Sequence, residues 1–253
     1  MIWDYEHQYK ELLNKVLRDG IHRDDRTGVG CTSVFNLSMR LNVSETFPIL
    51  TGRKMFPNIF NTEFNWFMSG ETNTKRLTDA GVTIWNEWAD ENGDLGPVYG
   101  HQLRNFNSQG YDQLTDAIQN IRSNPDSRRH VISLWNPAQL DEMALPPCYL
   151  YFDGDKLNMF ALMRSADMFL GVPYDVALFT SILNHMAFMC DLKPSILDIS
   201  LIDAHIYDNQ LEAVKTYLKS STDYDRPTYT FKNNKIELHN YKHGPVITAP
   251  VAI

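Results

Sequence analysis

Residues 149–162 read YLYFDGDKLNMFAL and predict a β-hairpin. Two runs rich in apolar residues, 149–152 and 156–162, flank the dipeptide Asp153-Gly154. Asp-Gly between such runs is a strong turn signal, because both residues tolerate the positive φ angles of a tight hairpin turn. The stretch therefore supplies two neighbouring antiparallel strands, from which the rest of a sheet can be built.

Helix and strand patterns surround this hairpin without a regular β-α-β alternation. Apolar residues at helical spacing predict an amphipathic helix over residues 3–18, and an aromatic-rich run predicts another over 58–70. A third, largely apolar helix is expected over 175–191. Further strands are expected over residues 34–41, 130–135 and 200–206. The mixture favours an α+β fold with a mixed, largely antiparallel sheet.

Length and composition predict one domain, residues 1–253, of an ordinary soluble protein. No apolar run approaches the length of a membrane helix and the N-terminus does not resemble a signal peptide, so we expect a cytoplasmic protein. A net charge of −8 argues against a broad nucleic-acid-binding surface, but not against a local anion pocket. Cys31, Cys148 and Cys190 are too widely spaced for a zinc site, and we expect reduced thiols and no metal.

Cys148 is a candidate nucleophile. It precedes the run Arg164-Ser165-Ala166-Asp167, and a guanidinium held near a thiol favours the thiolate, which is the form that attacks. An isolated cysteine is more often buried and inert. The surrounding motifs change that balance.

Ordered motifs along nearly the whole chain resemble those of the thymidylate synthase family. The resemblance implies the three-layer fold of that family, with 5,10-methylenetetrahydrofolate as co-substrate and a covalent bond from Cys148 to C6 of a pyrimidine nucleotide. Thiolate addition at C6 makes C5 nucleophilic towards a one-carbon unit. The motifs are DRTGVG (25–30), TIWNEWADENGDLGPVYG (83–100), NPDSRR (124–129), ALPPCY (144–149), RSAD (164–167), LGVPYD (170–175), AHIY (204–207) and APVAI (249–253).

The same resemblance implies the residues that bind the nucleotide. Arg128 and Arg129 reach the phosphate from a partner subunit in the family, which implies a homodimer with shared active sites. Each arginine alone is weak evidence, because a surface arginine is ordinarily solvated, and residue identity leaves a ribonucleotide open. The remaining contacts are Arg26, Arg164 and Ser165 to the phosphate, and His205 and Tyr207 to the deoxyribose 3′-hydroxyl.

Folate-binding and proton-transfer residues follow from the resemblance as well. Glu63 matches a glutamate that manages protons around the ring, and an isolated Glu in an apolar segment is itself costly to bury. Tyr99 is a further catalytic candidate. Residues expected to contact the folate are Ile84, Trp85, Trp88, Asp167, Gly171, Tyr174, Ala252 and Ile253.

Three positions depart from the family pattern, and Asp175 matters most. The family has an asparagine there, whose amide accepts from uracil N3–H and donates to O4. A carboxylate only accepts, so it suits the 4-amino group and a protonated N3 of cytosine. Alternatively, Asp175 lies elsewhere, or stays protonated and imitates an amide. Tyr149 and Met163 replace a histidine and a glutamine that support the pyrimidine.

These departures leave three hypotheses. The first is a dCMP C5 transferase of the kind phages use for modified DNA precursors, yielding 5-methyl-dCMP or 5-hydroxymethyl-dCMP. The second is a thymidylate synthase acting on dUMP, which requires Asp175 to be tolerated. The third is an inactive relative that binds nucleotide or RNA; the acidic charge, Cys148 and the arginines argue against it.

Overall fold

The computed structural model describes residues 4–25, 27–143, 149–154 and 156–252. Its helices are α1 (Tyr5–Asp19), α2 (Pro57–Ser69), α3 (Lys75–Asp79), α4 (Tyr99–Arg104), α5 (Gln113–Ser123), α6 (Gly171–Met189) and α7 (Leu211–Leu218). Its strands are β1 (Ile21–Arg23), β2 (Cys31–Asn42), β3 (Val131–Ser133), β4 (Tyr149–Asp153), β5 (Leu157–Asp167), β6 (Pro194–Tyr207), β7 (Thr228–Lys232) and β8 (Lys235–His239).

Six of these strands form one mixed sheet in the order β1-β2-β6-β5-β4-β3. All neighbouring pairs are antiparallel except β5 and β6, which run parallel. The expected α+β class and mixed, largely antiparallel sheet are confirmed. β7 and β8 form a separate two-stranded hairpin.

Helix α6 makes the parallel pairing possible, because it returns the chain from the end of β5 to the start of β6. This β5-α6-β6 crossover was not expected from the sequence pattern. Nearly every residue in the middle of α6 is buried, which explains its apolar composition. Parallel β5 and β6 end at the same edge of the sheet, where α6 begins.

Alternation along the strands separates the two faces of the sheet. Leu37, Met39 and Leu41 of β2 are at most 3% exposed and lie in the core, with α1 packed against this strand. On β4 the core residues alternate with Tyr149 and Tyr151, which are only partly buried. The second face is therefore less covered than the first.

Helices α1 and α2 have ends that the sequence explains. Asp4 caps α1 by accepting from the backbone N of His7 at 3.1 Å. Gly20 follows α1 directly, and a Cβ there would lie 2.4 Å from the Val16 carbonyl oxygen. Any side chain at this position would therefore clash with the last turn of the helix. Helix α2 starts with Pro57 and stops at Gly70, whose φ of 78° is the left-handed conformation that favours glycine.

None of the described helices combines the length and apolarity that crossing a membrane requires.

Candidate active site

Several predicted site residues lie outside the described residues. They are Arg26, the segment 144–148 with the expected nucleophile Cys148, and Ile253. The other predicted residues are described, and most of them come from the β5-α6-β6 unit, from β6 and from the region around α2.

Glu63 is buried on α2 and has one hydrogen-bond donor. The indole Nε1 of Trp85 donates to its Oε1 over 2.8 Å. Burial raises the pKa of Glu63 to about 7, although the Trp85 hydrogen bond acts in the opposite direction. Glu63 therefore exchanges a proton near neutral pH, as an acid or base in catalysis must.

Trp85 also belongs to an aromatic cluster. Its ring centroid lies 5.5 Å from that of Tyr99 and 6.1 Å from that of Trp88, and Tyr99 stacks on Phe67 at 4.8 Å. Trp88 is partly buried, and Ile84 is 36% exposed beside it. Trp85 meets Trp88 and Tyr99 edge-on, at interplanar angles of 66° and 68°, so these side chains form an apolar cluster next to Glu63.

Asp175 lies in the second turn of α6. Burial raises the pKa of its carboxyl group well above the usual range, and the negative charges of Glu63 and Asp167 raise it further. Gly171 precedes it by one helical turn; a Cβ there would lie 3.4 Å from Asp175 Oδ2 and from the Asp167 Cβ. Tyr174, also partly buried, accepts a 3.4 Å hydrogen bond from the backbone N of Phe56.

Asp167 ends β5 and holds the turn into α6. Its Oδ1 accepts from the backbone N of Phe169 at 2.9 Å and of Leu170 at 3.0 Å. Its Oδ2 accepts from the Gln210 side chain at 2.9 Å. The structure thus adds Gln210, which the motifs did not indicate.

Parallel pairing brings the predicted phosphate and sugar residues onto neighbouring strands. Ser165 pairs with Asp203, and Asp167 with His205. Arg164 and Ser165 are exposed, and the Arg164 guanidinium lies 5.7 Å from the Trp135 ring centroid.

His205 and Tyr207 lie close together on β6. Their ring centroids are 4.8 Å apart, and His205 Nδ1 is 3.1 Å from the Asp203 carbonyl oxygen. Parallel β5 and β6 end at one edge of the sheet, so Arg164, Ser165, His205 and Tyr207 all lie near that edge.

Arg128 and Arg129 are separate from this edge. Both are exposed in the connection between α5 and β3, and neither forms an ion pair with a residue in the described ranges.

Ala252, at the other end of the chain, is 7% exposed. Tyr149 contacts Phe160, with ring centroids 6.2 Å apart, and Met163 pairs with Leu201.

A buried arginine that the motifs did not indicate supports the turn at Asp167. Arg53 is 4% exposed; one of its terminal nitrogens donates to the Phe169 carbonyl oxygen over 2.5 Å, and its guanidinium lies 4.1 Å from the Phe169 ring centroid. No local sequence pattern signals this contact, because it joins residues 116 positions apart.

The candidate site thus consists of an aromatic cluster around Glu63 and of polar residues near the ends of β5 and β6. Among the described residues, no three His, Cys, Asp or Glu side chains are grouped as ligands of a metal ion. A family model described as "Thymidylate synthase" matches residues 7–253, almost the entire chain. The chain therefore belongs to the thymidylate synthase family of one-carbon transferases, which use methylenetetrahydrofolate to modify C5 of a pyrimidine nucleotide.

Proposed function

We propose that the protein is a single catalytic domain that transfers a one-carbon unit from methylenetetrahydrofolate to C5 of dCMP. The observation that carries this proposal is Asp175, an acidic residue in a desolvated position beside Glu63 and Asp167. The family has a neutral amide at the matching position. An extra carboxyl group there is costly unless the substrate uses it.

Cytosine can use that group in either protonation state. A neutral Asp175 donates its O–H to N3 and accepts from the 4-amino group; moving the proton gives a carboxylate facing a protonated N3. Both forms hold one proton between the residue and the base. The raised pKa of Asp175 favours the protonated form in the free protein. A protonated N3 also withdraws electrons from C6, which favours attack by Cys148.

The same raised pKa favours a second candidate, a thymidylate synthase acting on dUMP. A neutral carboxyl group donates to uracil O4 and accepts from N3–H, so it can imitate an amide. The two bases differ in how they use the carboxyl proton of Asp175. Only cytosine can accept it at N3, and this makes C6 more reactive towards Cys148. We therefore place dCMP first and dUMP second.

The reaction starts with Cys148, whose sulfur forms a bond to C6 and leaves C5 nucleophilic; once C5 has taken the one-carbon unit and lost its proton, the C6–S bond breaks and frees Cys148. The folate supplies the one-carbon unit at the oxidation level of formaldehyde. Glu63, with Trp85 donating to it, takes and returns protons around the pyrimidine ring. Hydride transfer from the reduced folate yields a methyl group; addition of water yields hydroxymethyl and leaves the folate reduced. Tyr99 closes the aromatic surface beside this centre.

A homodimer with shared sites is part of the proposal. Arg128 and Arg129 support it, because two exposed arginines without an ion pair among the described residues are available to a phosphate on a partner subunit. The second sheet face supports it as well. Tyr149, Tyr151, Phe160 and Leu162 alternate with core residues and are only partly buried, although they are apolar or aromatic.

The test is incubation of the protein with methylenetetrahydrofolate and dCMP, dUMP or CMP in turn. Mass spectrometry of the nucleotide distinguishes a methyl from a hydroxymethyl product, and kcat/KM ranks the substrates. We expect dCMP to be preferred. Preference for dUMP would replace the first candidate with the second, and absence of turnover on all three would refute both.

A further inference from the structure

Glu6, a carboxylate on α1 with no assigned role, holds a distant segment of the chain. Its Oε2 accepts from the backbone N and the hydroxyl of Thr51 at 2.5 and 2.6 Å. Its Oε1 accepts from the backbone N of Gly52 at 2.8 Å and from the Tyr217 hydroxyl at 2.6 Å. Glu6 is 7% exposed. Four donors match the acceptor sites of an ionised carboxylate, which has no donor of its own.

The segment that Glu6 holds, residues 50–55, is here called the clamp segment. It is bound on its other side by residues 240–252, here called the C-terminal stretch. Four hydrogen bonds join the two: Gly244 N to Thr51 O (2.7 Å), Lys54 N to Pro245 O (2.9 Å), Tyr241 hydroxyl to Leu50 O (2.8 Å) and Met55 N to the Tyr241 hydroxyl (2.9 Å).

Two glycines allow these close approaches. A Cβ at Gly52 would lie 2.7 Å from Glu6 Oε1, and a Cβ at Gly244 would lie 2.5 Å from the Gly52 carbonyl oxygen. A Cβ at Gly244 would clash with fixed backbone, and one at Gly52 would displace the Glu6 carboxylate. The clamp segment therefore meets the Glu6 side chain of α1 on one side and the backbone of the C-terminal stretch on the other.

The clamp segment also reaches the predicted folate residues. Arg53 binds the Phe169 carbonyl oxygen, and Phe169 N in turn donates to Asp167, so the clamp segment supports the Asp167 turn. The backbone N of Phe56, next to the clamp segment, donates to the Tyr174 hydroxyl. Glu6 therefore connects to two predicted folate contacts, Asp167 and Tyr174, through one segment, although it lies outside that site.

We propose that Glu6 is a positioning residue for the folate: its charge fixes the clamp segment, and through it the Asp167 turn, Tyr174 and the C-terminal stretch. This role rests on the proposed function. The described hydrogen bonds of the clamp segment reach Asp167 through Phe169 but do not reach Arg164, Ser165 or His205, so we expect nucleotide binding to depend on Glu6 far less than folate binding does.

The test is Glu6→Gln, which keeps the size of the side chain. Its amide nitrogen replaces one carboxylate oxygen and cannot accept the two hydrogen bonds that this oxygen receives. Affinities for dCMP, and for tetrahydrofolate in the presence of saturating dCMP, are measured by calorimetry. We expect folate binding to weaken about tenfold or more, the loss that one charge-assisted hydrogen bond can produce. Affinity for dCMP should not change. Hydrogen exchange should quicken at the amides of Thr51, Gly52 and Gly244.

Glu11→Gln is the matched control, because Glu11 lies on the same helix with its side chain 66% exposed and faces only His7. It should change neither affinity. If Glu6→Gln fails to fold, Tyr217→Phe, which removes one of the four donors, should weaken folate binding in the same direction by less. Rescue of folate binding by Glu6→Asp, relative to Glu6→Gln, would support the charge as the cause.

Three results would count against the proposal in different ways. Unchanged folate affinity in Glu6→Gln overturns the role of Glu6 alone. Equal losses of folate and nucleotide affinity also overturn it, since they indicate general destabilisation. Failure of the wild-type protein to bind the folate with either dCMP or dUMP refutes the proposed function itself.

Discussion

In the proposed function Asp175 selects the base, because its carboxyl group can carry a proton that the amide of the family cannot. Asp175→Asn introduces a side chain that cannot deliver a proton to cytosine N3 but can pair with both N3–H and O4 of uracil. We expect kcat/KM to fall on dCMP and to rise on dUMP, with the ratio of the two changing about a hundredfold or more. Steady-state kinetics with both nucleotides measure this ratio.

Asp191→Asn is a suitable control for that variant, since Asp191 is exposed just beyond the far end of α6. It should leave the ratio unchanged. If Asp175→Asn also leaves the ratio unchanged, Asp175 does not read the base, and the dCMP assignment is wrong.

Glu63 makes stability depend on pH. Its pKa is about 7 in the folded chain against an ordinary value of 4.5, so between these values the folded state holds a proton that the unfolded state has lost. The free energy of unfolding should therefore fall as the pH rises from about 4.5 to 7, and Glu63 contributes about 3 kcal/mol to that fall. Glu63→Gln should match the wild type near pH 5 and exceed it above pH 7.

Urea denaturation at both pH values measures this difference. The glutamine keeps an oxygen that accepts from Trp85 Nε1, so the hydrogen bond is preserved while the titration is removed. A pH dependence equal to that of the wild type would mean that Glu63 is ionised in the folded protein at neutral pH.

At the scale of elements, the C-terminal stretch depends on Gly244. In Gly244→Ala the new Cβ would meet the Gly52 carbonyl oxygen, so the stretch that ends near Ala252 must move. Because the resemblance places this stretch over the folate, KM for methylenetetrahydrofolate should rise several-fold with little change in KM for the nucleotide. Lys242→Ala, an exposed substitution in the same stretch, should change neither constant. Equal KM values for Gly244→Ala and the wild type would contradict the link.

The sequence predicted which helices and strands form better than it predicted which strands pair with one another. The hairpin of β4 and β5 followed from Asp153-Gly154, and the buried α6 followed from its composition. β5 continues to Asp167, past the predicted end at residue 162, because it pairs with β6, and periodicity does not reveal such long-range pairing.

The site residues fall into two groups: those that motifs indicate and those that only contacts in the fold reveal. Motifs indicated Glu63 and Trp85 separately, but their hydrogen bond joins α2 to a turn 22 residues later. Arg53, Gln210 and Glu6 carry no motif, and their roles come only from contacts across the fold. Residues that contact a ligand can be inferred from a family pattern, whereas residues that hold them in place require the structure.

At the scale of the whole molecule, shared sites predict complementation between subunits. Cys148→Ala lacks the nucleophile, and the double variant Arg128→Ala, Arg129→Ala lacks the phosphate contacts expected from the partner. Each should be inactive alone. A mixed dimer contains one site with the intact Cys148 of one subunit and the intact arginines of the other, so mixing should restore part of the activity.

Subunit exchange must be verified independently, for example with one variant carrying an affinity tag. If exchange occurs and turnover stays absent, the active site is contained within one chain. Variants mixed under conditions that prevent exchange serve as the control and should remain inactive.

The pairing of β2 with β6 has a consequence for synthesis of the chain. Leu41 lies beside Leu197, so a strand made early receives its neighbour only after more than half of the chain has followed. At typical translation rates this takes on the order of ten seconds, during which the unpaired edge of β2 is available to other nascent chains. Ribosome-bound fragments that end before residue 194 should therefore need chaperone protection, and full-length chains should not.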